Sequence, residues 1–175
     1  MRPTRTIILL HAALLALVLL VVFVFRTTSQ TFYFAIPLYS LSIGGLTVVG
    51  VGLCLRAIQP DILQGQGTFR WYLLRGWCVS LLGAAMAILF IGFYAYQVDQ
   101  DFFVRRLVWE EEMLVAGGMS EGEIGLVLEG EKLNEQFHAE EIAVGLIAAS
   151  SGLVGSVVLS LLFGRMANLP RLDQH

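Results

Sequence analysis

Apolar residues along this chain come in blocks of about twenty, with neither the two-residue alternation of strands nor the narrow stripe of a soluble helix. At about 1.5 Å of rise per residue, such a block matches the hydrocarbon thickness of a bilayer. Four blocks predict four transmembrane helices, at residues 7–25, 34–55, 76–96 and 142–163. The first is polar only at His11. It ends Phe23-Val24-Phe25-Arg26 where a cleavable signal would end in small residues, and is read as a retained anchor. The second carries Pro37 in its first turn, where a missing N–H costs least, and closes at Arg56. Arg70, Trp71, Tyr72 and Arg75 precede the third, which ends in Phe93, Tyr94 and Tyr96, so aromatic rings mark both of its interfaces. The pattern predicts a single all-α membrane domain over residues 1–175, a four-helix bundle with an extramembrane amphipathic helical hairpin at 97–141.

In that hairpin, residues 98–115 lack helix breakers, and Asp101/Arg105 and Arg106/Glu110 are spaced to support a helix. Phe103, Leu107 and Leu114 form one stripe, with Val104, Val108 and Val115 beside it. Gly117-Gly118 is expected to stop this helix, and Ser120 with Glu123 to open the next as a capping box. With no Pro or Gly between Gly92 and Gly117, helix three is expected to run on through Tyr96 into the hairpin.

Composition agrees with a lipid environment: 57% of the 175 residues are hydrophobic and only 14% charged, with a mean hydropathy of +0.74. A net charge of −3 argues against a nucleic-acid partner. Charge also orients the chain. Arg2, Arg5, Arg56, Arg70, Arg75, Arg165 and Arg171 fall on one side, and Arg26, Arg105, Arg106 and Lys132 on the other, which predicts cytoplasmic termini. Residues 97–141 carry a formal charge of −9 and are placed outside the cell membrane.

Lipid removes most of the hydrophobic drive between helices, so small residues that let backbones approach closely must supply the packing. Helix four offers Ala148, Gly152, Ser156, Ser160 and Gly164 at four-residue spacing, with Gly145/Ala149 and Ser151/Gly155 beside them. Helix three offers Gly76, Ser80, Gly83, Ala84 and Ala87, and helix two Gly44, Gly45, Gly50 and Gly52. Helix one is almost uniformly bulky and aliphatic from Leu14 to Phe25. Helices two, three and four are therefore expected at mutual contacts, with helix one more exposed to lipid. The same faces could serve a homo-oligomer or a protein partner.

Sites of chemistry are sparse. His11 is the ionisable side chain inside a membrane block and the candidate functional polar residue; a hydrogen bond to a neighbouring carbonyl is its structural alternative. Glu110, Glu111 and Glu112 lie 100° apart on a helix and cannot converge on one ion. Asp99 and Asp101 imitate an EF-hand start, but Val104 stands where its glycine belongs. His138 with Glu141 lacks further ligands, and Cys54 and Cys78 read as small buried hydrophobes. No catalytic, cofactor or metal site is expected.

The order of features then resembles a known family: Leu63-Gln64-Gly65-Gln66-Gly67-Thr68-Phe69 leading to Gly76, a third helix ending in Tyr94 and Tyr96, Ala116-Gly117-Gly118-Met119-Ser120-Glu121-Gly122-Glu123-Ile124, and a final helix. The chain is similar over nearly its whole length to a bacterial, mainly Bacteroidetes, domain-of-unknown-function family of small four-helix membrane proteins. The resemblance implies an inner-membrane location and no assigned activity. The expected function is that of a non-enzymatic integral membrane protein, an interaction or scaffold subunit meeting lipid and a protein partner or a second copy. The alternative is a small oligomeric transporter or channel, for which the polar materials are His11, Thr47, Ser80, Ser150, Ser151, Ser156 and Ser160, with no membrane-embedded carboxylate.

Overall fold

The computed structural model describes residues 4–28, 36–58, 68–136 and 139–167, which are helical apart from short turns. The helices are α1 (Thr4–Thr28), α2 (Ile36–Ile58), α3 (Phe69–Phe93, continued by a π-helical turn over Tyr94–Val98), α4 (Phe102–Ala116), α5 (Glu121–Gln136) and α6 (Ala139–Ala167). Among the described residues four apolar spans are long enough to cross a membrane: Thr4–Phe25, Tyr39–Ile58, Phe69–Val98 and Glu141–Phe163. Their outward faces carry large apolar side chains such as Leu9, Val21, Leu41, Leu53, Leu89, Leu146 and Leu161. An apolar surface this extensive suits lipid, where it carries no hydration penalty.

Helix boundaries follow local chemistry. Thr68 caps α3 by accepting a bond from the Trp71 N–H at 3.4 Å, so the helix starts seven residues before the expected Gly76 and takes Arg70, Trp71 and Arg75 into its first turns. Residues 34–35 and the connection at 59–67 lie outside the described residues. The expected run-on from helix three is corrected. The Asp99 N–H bonds the Tyr94 carbonyl at 2.9 Å, five residues back, and Asp99 leaves helical geometry at φ −121°, ψ 71°. The chain then turns into α4.

At the tip of the hairpin the glycines act as expected. Gly118 has φ 77°, a conformation that costs a side-chain-bearing residue but not glycine. The Met119 N–H reaches the Leu114 carbonyl at 3.2 Å and the Gly118 N–H the Val115 carbonyl at 3.0 Å, a Schellman stop. Ser120 then opens α5 reciprocally: its N–H bonds Glu123 Oε2 at 2.9 Å, while Ser120 Oγ accepts from the Glu123 N–H at 3.5 Å. The Ser120 hydroxyl also donates to Glu123 Oε2 at 2.7 Å, and that bond, with the one from the Ser120 N–H, holds the Glu123 carboxyl below its ordinary value of 4.5. A depressed carboxylate stabilises above its unfolded pKa, and that contribution is lost as pH falls through the lower folded value. Amide protection in the first turn of α5, measured against an unstructured peptide at the same pH, should therefore drop as pH falls below the ordinary carboxylate range, and Glu123→Gln should remove the acid step. An acid profile identical in wild type and variant would refute this role.

In the bundle, α3 packs most extensively on α6 and next on α1, while α2 touches α6, α1 and α3. Helix one is thus a full member of the bundle. The physical reason is that glycines on one partner suffice: Leu15 of α1 enters the notch left by Gly83 and Gly50. The α1 span is still the least enclosed of the four, with 28% of it buried against 33–39% for the others. The interior has two apolar clusters. One gathers Leu15, Leu19, Phe23, Ile43, Ala87, Ile91, Phe102 and Phe103 toward the α4 end, and the other Val51, Cys54, Leu55, Ile58, Tyr72 and Val79 toward the opposite end.

Candidate functional site

A seam of small and hydroxylated residues joins α3, α6 and α2 in the bundle interior. Thr47, Ser80 and Ser156 are fully buried. Each donates to the carbonyl four residues back on its own helix: Thr47 Oγ1 to Ile43 at 2.8 Å, Ser80 Oγ to Gly76 at 2.8 Å and Ser156 Oγ to Gly152 at 2.6 Å. That bonding removes the cost of an unmet hydroxyl in an apolar interior and leaves the side chain compact. Ser160 is also fully buried, and its Oγ finds no hydrogen-bond partner among the described residues.

The glycines of the seam are sockets for these side chains. A Cβ on Gly152 would overlap Ser80, 2.6 Å from its Cβ, and would come 3.0 Å from Thr47 Cγ2. One on Gly76 would fall 2.5 Å from Ser156 Oγ. Gly145 receives Ile88, Gly155 receives Val48 at 2.6 Å, and Gly44 receives Ser151 Oγ at 2.8 Å. Ala148 and Ala87 are fully enclosed and Ala84 nearly so. Gly52 meets Leu159 at an ordinary 3.6 Å.

Two sequence-based expectations change here. Gly83 turns to α1, accepting Leu15 at 2.8 Å, because it lies one turn beyond Ser80 and the face rotates as the helix advances. Gly45 is not at a helix contact: a Cβ there would meet nothing within 4 Å, and it lines an apolar groove with Val21, Val22, Phe25, Ser42 and Leu46. His11 is half-buried, and its Nδ1 lies 2.8 Å from the Ile7 carbonyl, the structural arrangement weighed above. His138 lies outside the described residues. Cys54 is buried, but Cys78 is exposed, so only the former is an interior hydrophobe.

At the α4 end, Phe102 and Phe103 fold back onto the bundle, Phe102 against Phe23 at 5.5 Å and Phe103 against Tyr96 at 5.1 Å between ring centroids. The Tyr96 hydroxyl donates to the Glu135 carbonyl at 3.2 Å, tying α5 to the end of α3. Arg106 joins α4 to α5 through Glu131 at 2.7 Å, with Glu110 at 3.7 Å. Arg105 bonds Asp99 at 2.6 Å, in place of the expected pairing with Asp101, because the turn carries Asp99 to its side. Phe103 is buried and Leu107 and Leu114 are half-buried, whereas Val104, Val108 and Val115 are exposed.

Sequence reasoning missed Glu141. Read as part of the solvated acidic stretch, it is 2% exposed and begins the fourth apolar span. The available signal was its position, immediately before Ile142 and one helical turn before Gly145, which places it on the packed face. Among the described residues no three His, Cys, Asp or Glu side chains converge as metal ligands. The chain matches no family model, no curated protein and no solved structure.

Proposed function

We propose that this protein is a non-enzymatic interaction subunit of a bacterial cytoplasmic membrane, with both termini inside and the acidic hairpin α4–α5 outside as its docking element. The observation that carries this reading is the contrast between two sets of glycines. Those of the seam each receive a neighbouring side chain, whereas Gly122, Gly125 and Gly130 on α5 face nothing within 4 Å. Each costs the helix roughly 0.5–1 kcal/mol relative to alanine. Among the described residues nothing is packed in return.

Gly122, Leu126, Gly130 and Leu133 recur at helical spacing, and Leu126 and Leu133 are 73% and 53% exposed. An open glycine face flanked by leucines is what a partner helix needs for close approach. The resemblance to small four-helix membrane proteins of unknown function is compatible with such a role and adds no activity.

A photoreactive residue at Leu126, irradiated in native membranes, should cross-link a second protein species. Gly122→Ala with Gly130→Ala should abolish that product while leaving the isolated protein as stable as wild type or slightly more so. Cross-links to lipid alone, or a product unaffected by the alanines, would overturn the docking reading. A small oligomeric transporter or channel is the second reading, favoured by the enclosed carboxylate of Glu141 in an apolar span. Cross-links joining copies of this chain alone would favour it.

A further inference from the structure

The bundle end opposite the hairpin carries Arg5, Arg56, Arg70 and Arg75, and among the described residues none of the four pairs with a carboxylate. Two of them, Arg5 and Arg75, line one groove between α1 and α3. It has a volume of roughly 480 Å³ and is lined by Thr4, Arg5, Ile8, Leu74, Arg75 and Cys78. The Arg75 guanidinium lies 3.4 Å over the centre of the Trp71 ring and makes one long bond, 3.4 Å, to the Trp71 carbonyl. Its Nε is buried with no hydrogen-bond partner among the described residues. A cation in the first turns of an apolar span is costly unless an anion meets it.

The groove supplies the other half of an amphipathic ligand site. Its walls are Ile8, Leu74, Cys78 and the aliphatic stems of Arg5 and Arg75, so its surface is almost wholly apolar and the charged ends of the two arginines are left for its rim. We propose that this groove binds an anionic phospholipid, its phosphodiester held between Arg5 and Arg75 and its acyl chain laid along Ile8, Leu74 and Cys78. Stacking on Trp71 holds the Arg75 guanidinium plane at the headgroup level, where a planar fork of N–H donors matches phosphate oxygens. The comparable groove at Gly45, between α1 and α2, is lined by apolar residues and Ser42 without a cation and has no such complement.

The protein extracted in mild detergent and offered phosphatidylglycerol and phosphatidylcholine should retain phosphatidylglycerol selectively in native mass spectrometry. Each of Arg5→Gln and Arg75→Gln should weaken that retention about fivefold, and the double variant more, while Arg70→Gln, outside the groove, should leave it unchanged. Cys78 gives a second readout that does not require the Arg75 variant to fold well. In phosphatidylglycerol vesicles its modification by a membrane-permeant maleimide should be slower than in phosphatidylcholine vesicles, and Arg5→Gln should narrow the difference. Equal retention of the two lipids, equal loss in Arg70→Gln, or retention unchanged in the double variant would overturn the site.

Discussion

Replacing Gly152 by alanine should destabilise the bundle by about 1–3 kcal/mol, the range for forcing an extra carbon into a packed interior. The added Cβ would overlap Ser80 and press on Thr47 Cγ2 at 3.0 Å. Ser80 has little freedom to yield, because its hydroxyl is bonded to the Gly76 carbonyl at 2.8 Å and the side chain is fully buried. Valine at position 152 should prevent assembly of α6 on α3 altogether. Gly45→Ala is the matched control: a Cβ there meets nothing within 4 Å, so the change should be neutral or stabilising through helix propensity. Thermal unfolding in detergent measures both. Combining Gly152→Ala with Ser80→Gly should recover part of the loss, since the overlapping atoms are gone, and the double-mutant cycle should show coupling. Additive effects, or a Gly152→Ala protein as stable as Gly45→Ala, would mean that α3 and α6 do not meet at this seam.

The second large effect is expected at Arg106. Its side chain is 17% exposed and stands between Glu131, 2.7 Å away on α5, and Glu110, 3.7 Å away on α4. Removing one partner from an enclosed ion pair leaves the other charge unmet, which costs 3–5 kcal/mol at full burial. Here the partners keep some contact with solvent, so about 2–3 kcal/mol is the reasonable figure. Arg106→Gln should also bring two carboxylates face to face without their shared cation. The damage should be local. Amide exchange in α5 should accelerate by about 30- to 160-fold through easier opening of the hairpin, while α1, α2, α3 and α6 keep their protection. Glu131→Gln should do less, because Arg106 retains Glu110. Unchanged exchange in α5 would show that the hairpin is held by Phe103, Tyr96 and the apolar stripe without help from the ion pair.

Both experiments probe contacts between segments far apart in the chain, and this is where reading the sequence reached its limit. The four apolar spans were legible because a twenty-residue hydrophobic block is a property of consecutive residues. So were the stop at Gly117-Gly118 and the Ser120/Glu123 capping box, whose bonds join residues within six positions of each other. The break at Asp99 was not, since no glycine or proline marks it; a π turn consumed the residues that a regular helix would have used.

The sequence by itself determined the helices, their approximate ends and which faces are small enough for another backbone to approach, because each of these depends on local propensity, spacing and side-chain volume. Only the tertiary structure decided which socket takes which side chain: Ser80 at Gly152, Ser156 at Gly76, Leu15 at Gly83 and nothing at Gly45. It also decided that Glu141 is enclosed and that Arg5 and Arg75 line one groove. A small residue offers room without naming its occupant, and the exposure of a charge at a helix end depends on how its neighbours cross. Those are relations between helices, and they exist only once the helices have packed.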